Sequence, residues 1–344
     1  MVSCSFSQFP ISIPNTHSMH KLSLTAFATL AVALPAQQLT ETFSYPDGPA
    51  PGWTNQTLVQ TVKSGRLVPS GTKSPHYITL NAFPNVGASV VDVDVYYPTL
   101  VGLHYGGLTA RHPGGSGSVG QVYAKLQDNS AVGYGYYSSM YVYEAPGSAT
   151  SLITGINTLA ATLRLITVGR TAWVQLDKDK DGVFDHTLTR AFAAATTKDR
   201  GLVGVTGYNL SEMDDFKFYD AVVLADPTTP PKINTTYKLT FDAELVAAAP
   251  TPWLVAFSLG KAGIPLGGGR RLPLSLDVLF NATVGMGFTG LLTATAPQGV
   301  VSLPLPNDPG LVGLRIFAAG VTVDASKPLA IGAISNDHSF VIEQ

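Results

Sequence analysis

The residues whose spacing best fits a defined chemistry form a run dense in aspartate, at 177–185. Its carboxylates stand at positions 1, 3, 5 and 9 of the run, and they belong to Asp177, Asp179, Asp181 and Asp185. Oxygen ligands at such positions wrap around Ca²⁺ when a glycine at position 6 allows the turn and a carbonyl at position 7 adds a ligand. Gly182 and Val183 supply these two positions, but Leu188 replaces the glutamate expected at position 12. The run predicts a structural calcium site, and a solvated hairpin turn is the alternative.

A second set of candidate ligand-binding residues is a cluster of tyrosines in a segment that predicts a strand or a hairpin. The cluster consists of Tyr134, Tyr136, Tyr137, Tyr141 and Tyr143. Side chains two residues apart share one face of a strand, so Tyr141 and Tyr143 lie together, with Tyr137 in line if the strand is unbroken. A tyrosine ring with its hydroxyl suits stacking on sugar rings. Ordinary filling of a β core is the alternative interpretation.

Arg111 is the remaining candidate ligand-binding residue. It precedes His112 and a Pro-Gly-Gly turn at 113–115. A guanidinium in this position would bind a carboxylate or a sulfate group. A polar hairpin loop without a ligand is the alternative.

Asp92 and Asp94 alternate with valines at 91–95, which is the pattern of a strand with one buried face and one solvated face. We therefore expect both aspartates on the solvated face, and an acid/base pair is the alternative. The glutamates of residues 39–226 are Glu41, Glu144 and Glu212, and they show no paired spacing. These observations favour a binding protein over an enzyme.

Composition indicates a β-rich protein. Hydrophobic residues make up 45% and charged residues 13% of the 344 residues, and the chain holds 34 Gly and 24 Pro. Such a chain is too apolar for disorder and too rich in turn formers for a helical protein. The net charge of −2 gives no electrostatic basis for binding nucleic acid or an anionic membrane.

The N-terminus predicts export. Met19-His20-Lys21 precedes an apolar run at 22–34 and a small-residue cleavage region ending at Ala36, the pattern of a signal peptide. The apolar run is too short to span a membrane comfortably, so we expect no span in the mature chain. Residues 1–18 contain no Asp, Glu, Lys or Arg, and Met19 is the better initiator. The single cysteine, Cys4, lies in that extension, so the mature chain has no disulfide, which favours a bacterial envelope or medium.

Turn residues divide the rest of the chain into two β-rich parts. Alternating runs at 163–168 and 171–176 flank a Gly-Arg turn and predict a hairpin, and 216–224 predicts one closing strand. The proline-rich segment 227–232 predicts a stiff linker. We therefore expect an extension and signal peptide at 1–36, a first domain at 39–226 and a second at 233–344.

The first domain resembles the concanavalin A-like, laminin-G-like jelly-roll superfamily. The residues that carry the resemblance are Glu41-Thr42-Phe43, Gly52-Trp53, 92–95, Ala110-Arg111, 121–126, the 163–176 hairpin and Met213-Asp214-Asp215-Phe216. The second domain resembles a small C-terminal β domain of secreted bacterial surface proteins through 257–260, 265–267, 303–306 and 332–336. The first resemblance implies binding of sugars or glycoconjugates in many members and hydrolysis in some. Hydrolytic relatives carry Glu-x-Asp-x-Glu on one strand, and the strand at 92–96 has no glutamate.

These features together predict an all-β protein, with a jelly-roll β-sandwich followed by a smaller β-sandwich. The predicted function is a secreted or cell-surface binding protein for glycans or another surface polymer, stabilised by Ca²⁺. A glycoside hydrolase or lyase on the same fold is one alternative. A structural protein of the cell envelope is the other.

Overall fold

Strands form most of the computed structural model. It describes residues 38–344 except 58, 70–75, 83–86, 99–102, 116–118, 130–137, 145–150, 193–198, 227, 244–249, 268–269, 294–295 and 297. The predicted signal peptide and Tyr137 lie outside the described residues, as do Tyr134 and Tyr136. The prediction of an all-β protein is confirmed. Over the described residues, no helix is long and apolar enough to cross a membrane.

Two antiparallel sheets make the first sandwich. The seven-stranded sheet runs in the order β10 (Ser151–Ile153), β9 (Ser138–Glu144), β8 (Val122–Asn129), β7 (Leu103–His112), β14 (Leu202–Tyr208), β5 (His76–Leu80) and β2 (Trp53–Asn55). The eight-stranded sheet runs in the order β13 (His186–Ala191), β12 (Thr171–Asp177), β11 (Ala160–Val168), β6 (Ser89–Tyr96), β15 (Glu212–Tyr219), β4 (Arg66–Pro69) and β3 (Gln60–Lys63), and β1 (Gln38–Glu41) pairs with β15. The predicted 163–176 hairpin is confirmed as β11 and β12.

Alternation along the strands builds the core between these sheets. In β8, Val122, Ala124 and Leu126 are fully buried, and the residues between them point to the opposite face. Val93 of β6 and Leu165 of β11 belong to the same buried cluster and come from the other sheet. The inward faces of the two sheets therefore pack on each other, as expected for a sandwich.

The second sandwich is smaller. One sheet consists of β16 (Val222–Ala225), β17 (Thr236–Asp242) and β22 (Gln298–Pro304). The other consists of β21 (Thr289–Leu292), β18 (Thr251–Ser258), β23 (Arg315–Val323) and β24 (Ile331–Ile334), with β25 (His338–Val341) beside β23. A hairpin of β19 (Ile264–Gly267) and β20 (Arg270–Leu272) and a helix α1 (Val278–Gly285) complete the part that is described. Asp277 caps α1 by accepting the backbone N–H of Phe280 at 2.9 Å.

The prediction of one closing strand at 216–224 is wrong. The run is divided into β15, which ends at Tyr219, and β16, which begins at Val222 and pairs with β17 of the second sandwich. The buried Asp220 lies at the division and accepts the backbone N–H of Ile334 at 3.3 Å. A buried polar contact of this kind with β24 cannot be seen in a local pattern.

The prediction that Asp92 and Asp94 face solvent is also wrong. Their side of β6 is covered, and the two residues are 4% and 5% exposed. Arg164 of β11 donates to both carboxylate oxygens of Asp92, at 2.7 and 2.8 Å, and to Asp337 at 2.7 Å. Asp337 comes from the second sandwich, immediately before β25. The alternation arose because both faces of β6 are buried, one among valines and one in an ion-paired contact.

Candidate functional site

The outward side of the seven-stranded sheet carries a group of aromatic side chains. Cross-strand pairing sets Tyr123 opposite Tyr143, Lys125 opposite Tyr141 and Tyr105 opposite Tyr208. Directly opposite residues point to the same side of a sheet, so these side chains form one surface. We call this surface the tyrosine face, and it comprises Tyr77, Tyr105, Tyr123, Tyr141, Tyr143, Tyr208 and Lys125.

The rings of the tyrosine face lie in stacked pairs. Tyr123 and Tyr143 have centroids 4.7 Å apart and planes at 9°, and Tyr141 stacks on Tyr143 at 5.5 Å. Tyr105 stacks on Tyr208 at 5.2 Å. Tyr123, Tyr141 and Tyr143 are half-buried, whereas Tyr105 is buried. The end of the face toward β9 is therefore partly exposed to solvent, and the stacking holds its rings in fixed positions.

Lys125 lies among these rings. Its Nζ is 4.5 Å from the ring centroid of Tyr105, 4.8 Å from that of Tyr143 and 5.2 Å from that of Tyr141. These distances fit cation–π contacts. Burial lowers the pKa of Lys125 to about 8. The side chain makes no salt bridge with a carboxylate among the residues that the structure describes.

A β-bulge near the end of β7 reverses the direction of two side chains. Pairing of β7 with β14 shifts between Gly204 and Leu202, and Arg111 has a positive φ of 57°. Arg111 is buried and donates to the carbonyl of Gly169, in the turn of the β11–β12 hairpin. The guanidinium predicted to bind a ligand therefore points to the other sheet, and it lies on a strand and not in a loop.

His112 takes the outward direction at this bulge. Its ring centroid lies 5.4 Å from that of Tyr77, whose ring in turn lies 6.2 Å from that of Tyr123. Burial lowers the pKa of His112 to about 4, so the ring is neutral at pH 7. Its Nδ1 accepts the backbone N–H of Gly114 at 3.0 Å, which leaves the proton on Nε2. Nε2 is buried and has no hydrogen-bond partner among the described residues.

The aspartate run forms the loop after β12 and brings part of the predicted ligand set together. Oxygens of Asp177, Asp179 and Asp185 lie within 4.8 Å of one another. Asp181 is outside this group, and its carboxylate instead accepts the backbone N–H of Val183 at 2.7 Å. Burial raises the pKa of the Asp177 carboxyl, and the nearby Asp181 charge adds to the rise. The donors are the hard oxygens that suit Ca²⁺, in an incomplete set.

Two cavities lie between the eight-stranded sheet and the second sandwich. Their volumes are about 260 and 320 Å³, and Arg164, Phe184 and Asp337 line both. Several charges in their linings are paired with one another, Arg164 with Asp92 and Asp337, and Lys180 with Asp94. The pair of Arg164 with Asp337 joins the two sandwiches, and we take the tyrosine face as the candidate ligand site.

Most members of the tyrosine face were not identified as candidates from the sequence. Tyr77, Tyr105, Tyr123 and Tyr208 come from four different strands, far apart in the chain. The alternation of Tyr123 and Lys125 with buried residues in β8 was the available local signal.

No protein-family model matches the chain, and no curated protein matches it. Several solved structures are similar at low identity. The exoplasmic/lumenal domain of VIP36 in its Ca²⁺/Man-bound form is 12% identical, with a TM-score of 0.36 over 49% of this chain and 83% of that chain. A legume lectin-like domain from Entamoeba histolytica is 8% identical, with a TM-score of 0.36 over 49% and 89%. Basic winged bean lectin with Tn-antigen is 10% identical, with a TM-score of 0.36 over 53% and 97%. Similarity at this level carries no function from those proteins to this chain.

Proposed function

We propose that this chain is a glycan-binding protein whose ligand surface is the tyrosine face. The observation that carries the proposal is the set of stacked, half-buried rings of Tyr123, Tyr141 and Tyr143 on one side of the seven-stranded sheet. Sugar rings present patches of C–H groups that pack on the parts of aromatic rings that such a stack leaves exposed, while their hydroxyls need nearby polar groups such as the tyrosine hydroxyls. Two of the three rings, Tyr141 and Tyr143, belong to the tyrosine cluster that the sequence singles out.

A binding role is favoured over hydrolysis by the residues of the same face. Along the described strands, the outward positions of the tyrosine face hold no Asp or Glu. Glycoside hydrolysis ordinarily needs two carboxylates flanking the scissile bond. The candidate acid/base pair, Asp92 and Asp94, lies on the other sheet in ion-paired, buried positions.

Binding to an immobilised glycan panel tests this function. The Tyr141→Ala and Tyr143→Ala variants are each expected to bind the best glycan about tenfold more weakly, which is about 1.4 kcal/mol. Tyr96→Ala is the matched control, because Tyr96 is a half-buried tyrosine of the eight-stranded sheet. Equal losses in all three variants, or the absence of any glycan that binds, would contradict the proposal.

We also propose that the loop after β12 binds a structural Ca²⁺ through Asp177, Asp179 and Asp185. The proposal is supported by the convergence of these oxygens within 4.8 Å and by the burial of Asp177. The loop contacts the second sandwich, because Lys261 Nζ donates to the carbonyl of Gly182 at 3.1 Å. An ion here would therefore stabilise the loop beside this contact, away from the tyrosine face.

Calcium is expected to raise the melting temperature of the chain, and EDTA is expected to reverse the rise. Free Ca²⁺ at 100 times its dissociation constant adds about 2.7 kcal/mol of stability. Asp179→Asn is expected to abolish the rise, while Asp181→Asn keeps it because that carboxylate lies outside the converging group. Thermal unfolding of the wild type and of the two variants, with and without Ca²⁺, measures these changes in melting temperature. A rise that is absent in wild type, or lost equally in both variants, would rule out this site.

The location of the protein stays a prediction. We propose a secreted or cell-surface protein of a bacterial envelope, with the leader at 19–36 removed on export. The N-terminal sequence of the chain recovered from the culture medium or cell surface measures the cleavage point directly.

A further inference from the structure

The tyrosine face offers a positive charge, and the outward positions of its described strands hold no carboxylate. The Nζ of Lys125 lies among three rings without a salt bridge to a described carboxylate. The protonated Nε2 of His112 is buried on the same side of the sheet without a hydrogen-bond partner among the described residues. Because the Nε2 of His112 is buried, the donor that a bound acceptor could reach is the half-buried Lys125 ammonium group.

A glycine lies beside Lys125 on the neighbouring strand. Gly107 of β7 lies directly opposite Lys125, so no side chain from β7 stands between the lysine and Thr206 of β14. A Cβ at Gly107 would overlap the carbonyl oxygen of Ala124 in β8, so glycine is required there. Thr206 is buried, and its Oγ1 likewise lacks a hydrogen-bond partner among the described residues. Thr206 is not accessible to a ligand, and the Tyr77 ring, whose centroid lies 6.2 Å from that of Tyr123, lies in the same cross-strand row, so the charged group that a ligand could reach is the half-buried Lys125 ammonium group.

We propose that the glycan recognised by the tyrosine face is anionic, with a sugar carboxylate seated on the Lys125 ammonium group between Tyr105, Tyr141 and Tyr143. This inference rests on the proposed glycan-binding function. A uronic acid fits because its ring stacks on tyrosine while its carboxylate accepts from Lys125. A sulfate ester on a neutral sugar offers the same charge, and the test separates the two.

An ordinary structural role for Lys125 predicts a different outcome. Lysine stems often cover apolar surface while the ammonium group remains in water, and the cation–π contacts with tyrosine would then be the whole interaction. In that case, the charge of a glycan would have no effect on its affinity for the protein. The two interpretations therefore differ in a measurable way.

Isothermal titration of the full chain with oligogalacturonate, with its methyl ester and with a sulfated galactan tests the inference. These probes share pyranose rings and differ in charge. We expect oligogalacturonate to bind at least about tenfold more tightly than its methyl ester, since a hydrogen bond to a charged group is worth more than one between neutral groups. Lys125→Met is expected to remove this preference, and Lys63→Met, an exposed lysine of β3, is expected to keep it.

The results of these titrations separate the anionic nature of the ligand from glycan binding in general. Equal binding of oligogalacturonate and its ester, with losses in Tyr141→Ala, would overturn the anionic ligand and leave a neutral glycan-binding protein. Tighter binding of the sulfated galactan than of oligogalacturonate would overturn the carboxylate in favour of sulfate. Failure of every saccharide to bind a chain with an intact unfolding transition would overturn both. If Lys125→Met unfolds, Lys125→Gln provides the same neutralisation in a shorter, polar side chain.

Discussion

Replacing Arg164 by alanine is expected to lower the free energy of unfolding by about 3–5 kcal/mol. The variant leaves Asp92 and Asp337, which are 4% and 6% exposed, as buried carboxylates without their shared guanidinium. Although burial alone would raise it, Arg164 and Lys261 hold the pKa of Asp337 at about 2. The contact joins the two sandwiches, so its loss weakens the packing of one on the other. Urea-induced unfolding at pH 7 measures the change.

Arg66→Ala is the matched control for this prediction. Arg66 makes an equally short ion pair with Glu212, at 2.6 Å, but the two side chains are 39% and 37% exposed. An exposed pair contributes at most about 1 kcal/mol. Equal effects of the two substitutions would mean that the sandwiches are not held by the Arg164 contact.

Stability is expected to fall steeply as the pH drops from about 6.5 to about 4. Burial lowers the pKa of both His112 and His338 to about 4. The unfolded chain takes up a proton at each histidine near pH 6.5, whereas the folded chain takes it up only near pH 4, so acid favours unfolding in this window. His112 alone accounts for about 3 kcal/mol by pH 4, since each pH unit of displacement is about 1.4 kcal/mol.

The difference in unfolding free energy between pH 7 and pH 4 isolates this effect. His112→Gln is expected to reduce the difference by about 3 kcal/mol, because glutamine does not titrate. His338→Gln is expected to reduce the difference as well, because burial lowers the pKa of His338 in the same way. If His112→Gln keeps the wild-type difference, the pKa of His112 is not lowered in the folded chain.

Local patterns were sufficient to predict the strand content and the hairpin of β11 and β12. A Gly-Arg turn between two alternating runs specifies that hairpin without information from elsewhere in the chain. The environment of Asp92 and Asp94 could not be predicted in this way. Asp337, which shares Arg164 with Asp92, lies more than 200 residues further along the chain, so no local pattern contains it.

The tyrosine face could be predicted only in part, because its residues also lie far apart in the chain. Tyr141 and Tyr143 were identified because they are neighbours in sequence, and the rings that complete the surface come from other strands. Arg111 was misplaced because a β-bulge, which local alternation does not predict, exchanges its direction with that of His112. The aspartate loop was predicted more fully, since three of its four carboxylates converge.

The tyrosine face can be tested directly by NMR of the chain carrying ¹³C-labelled tyrosine rings during titration with oligogalacturonate. The predicted result is a set of saturable shifts in the ring signals of Tyr123, Tyr141 and Tyr143, with Tyr96 of the eight-stranded sheet unchanged. Shifts at Tyr96 without shifts at those three rings would place the ligand on the other sheet and contradict the account.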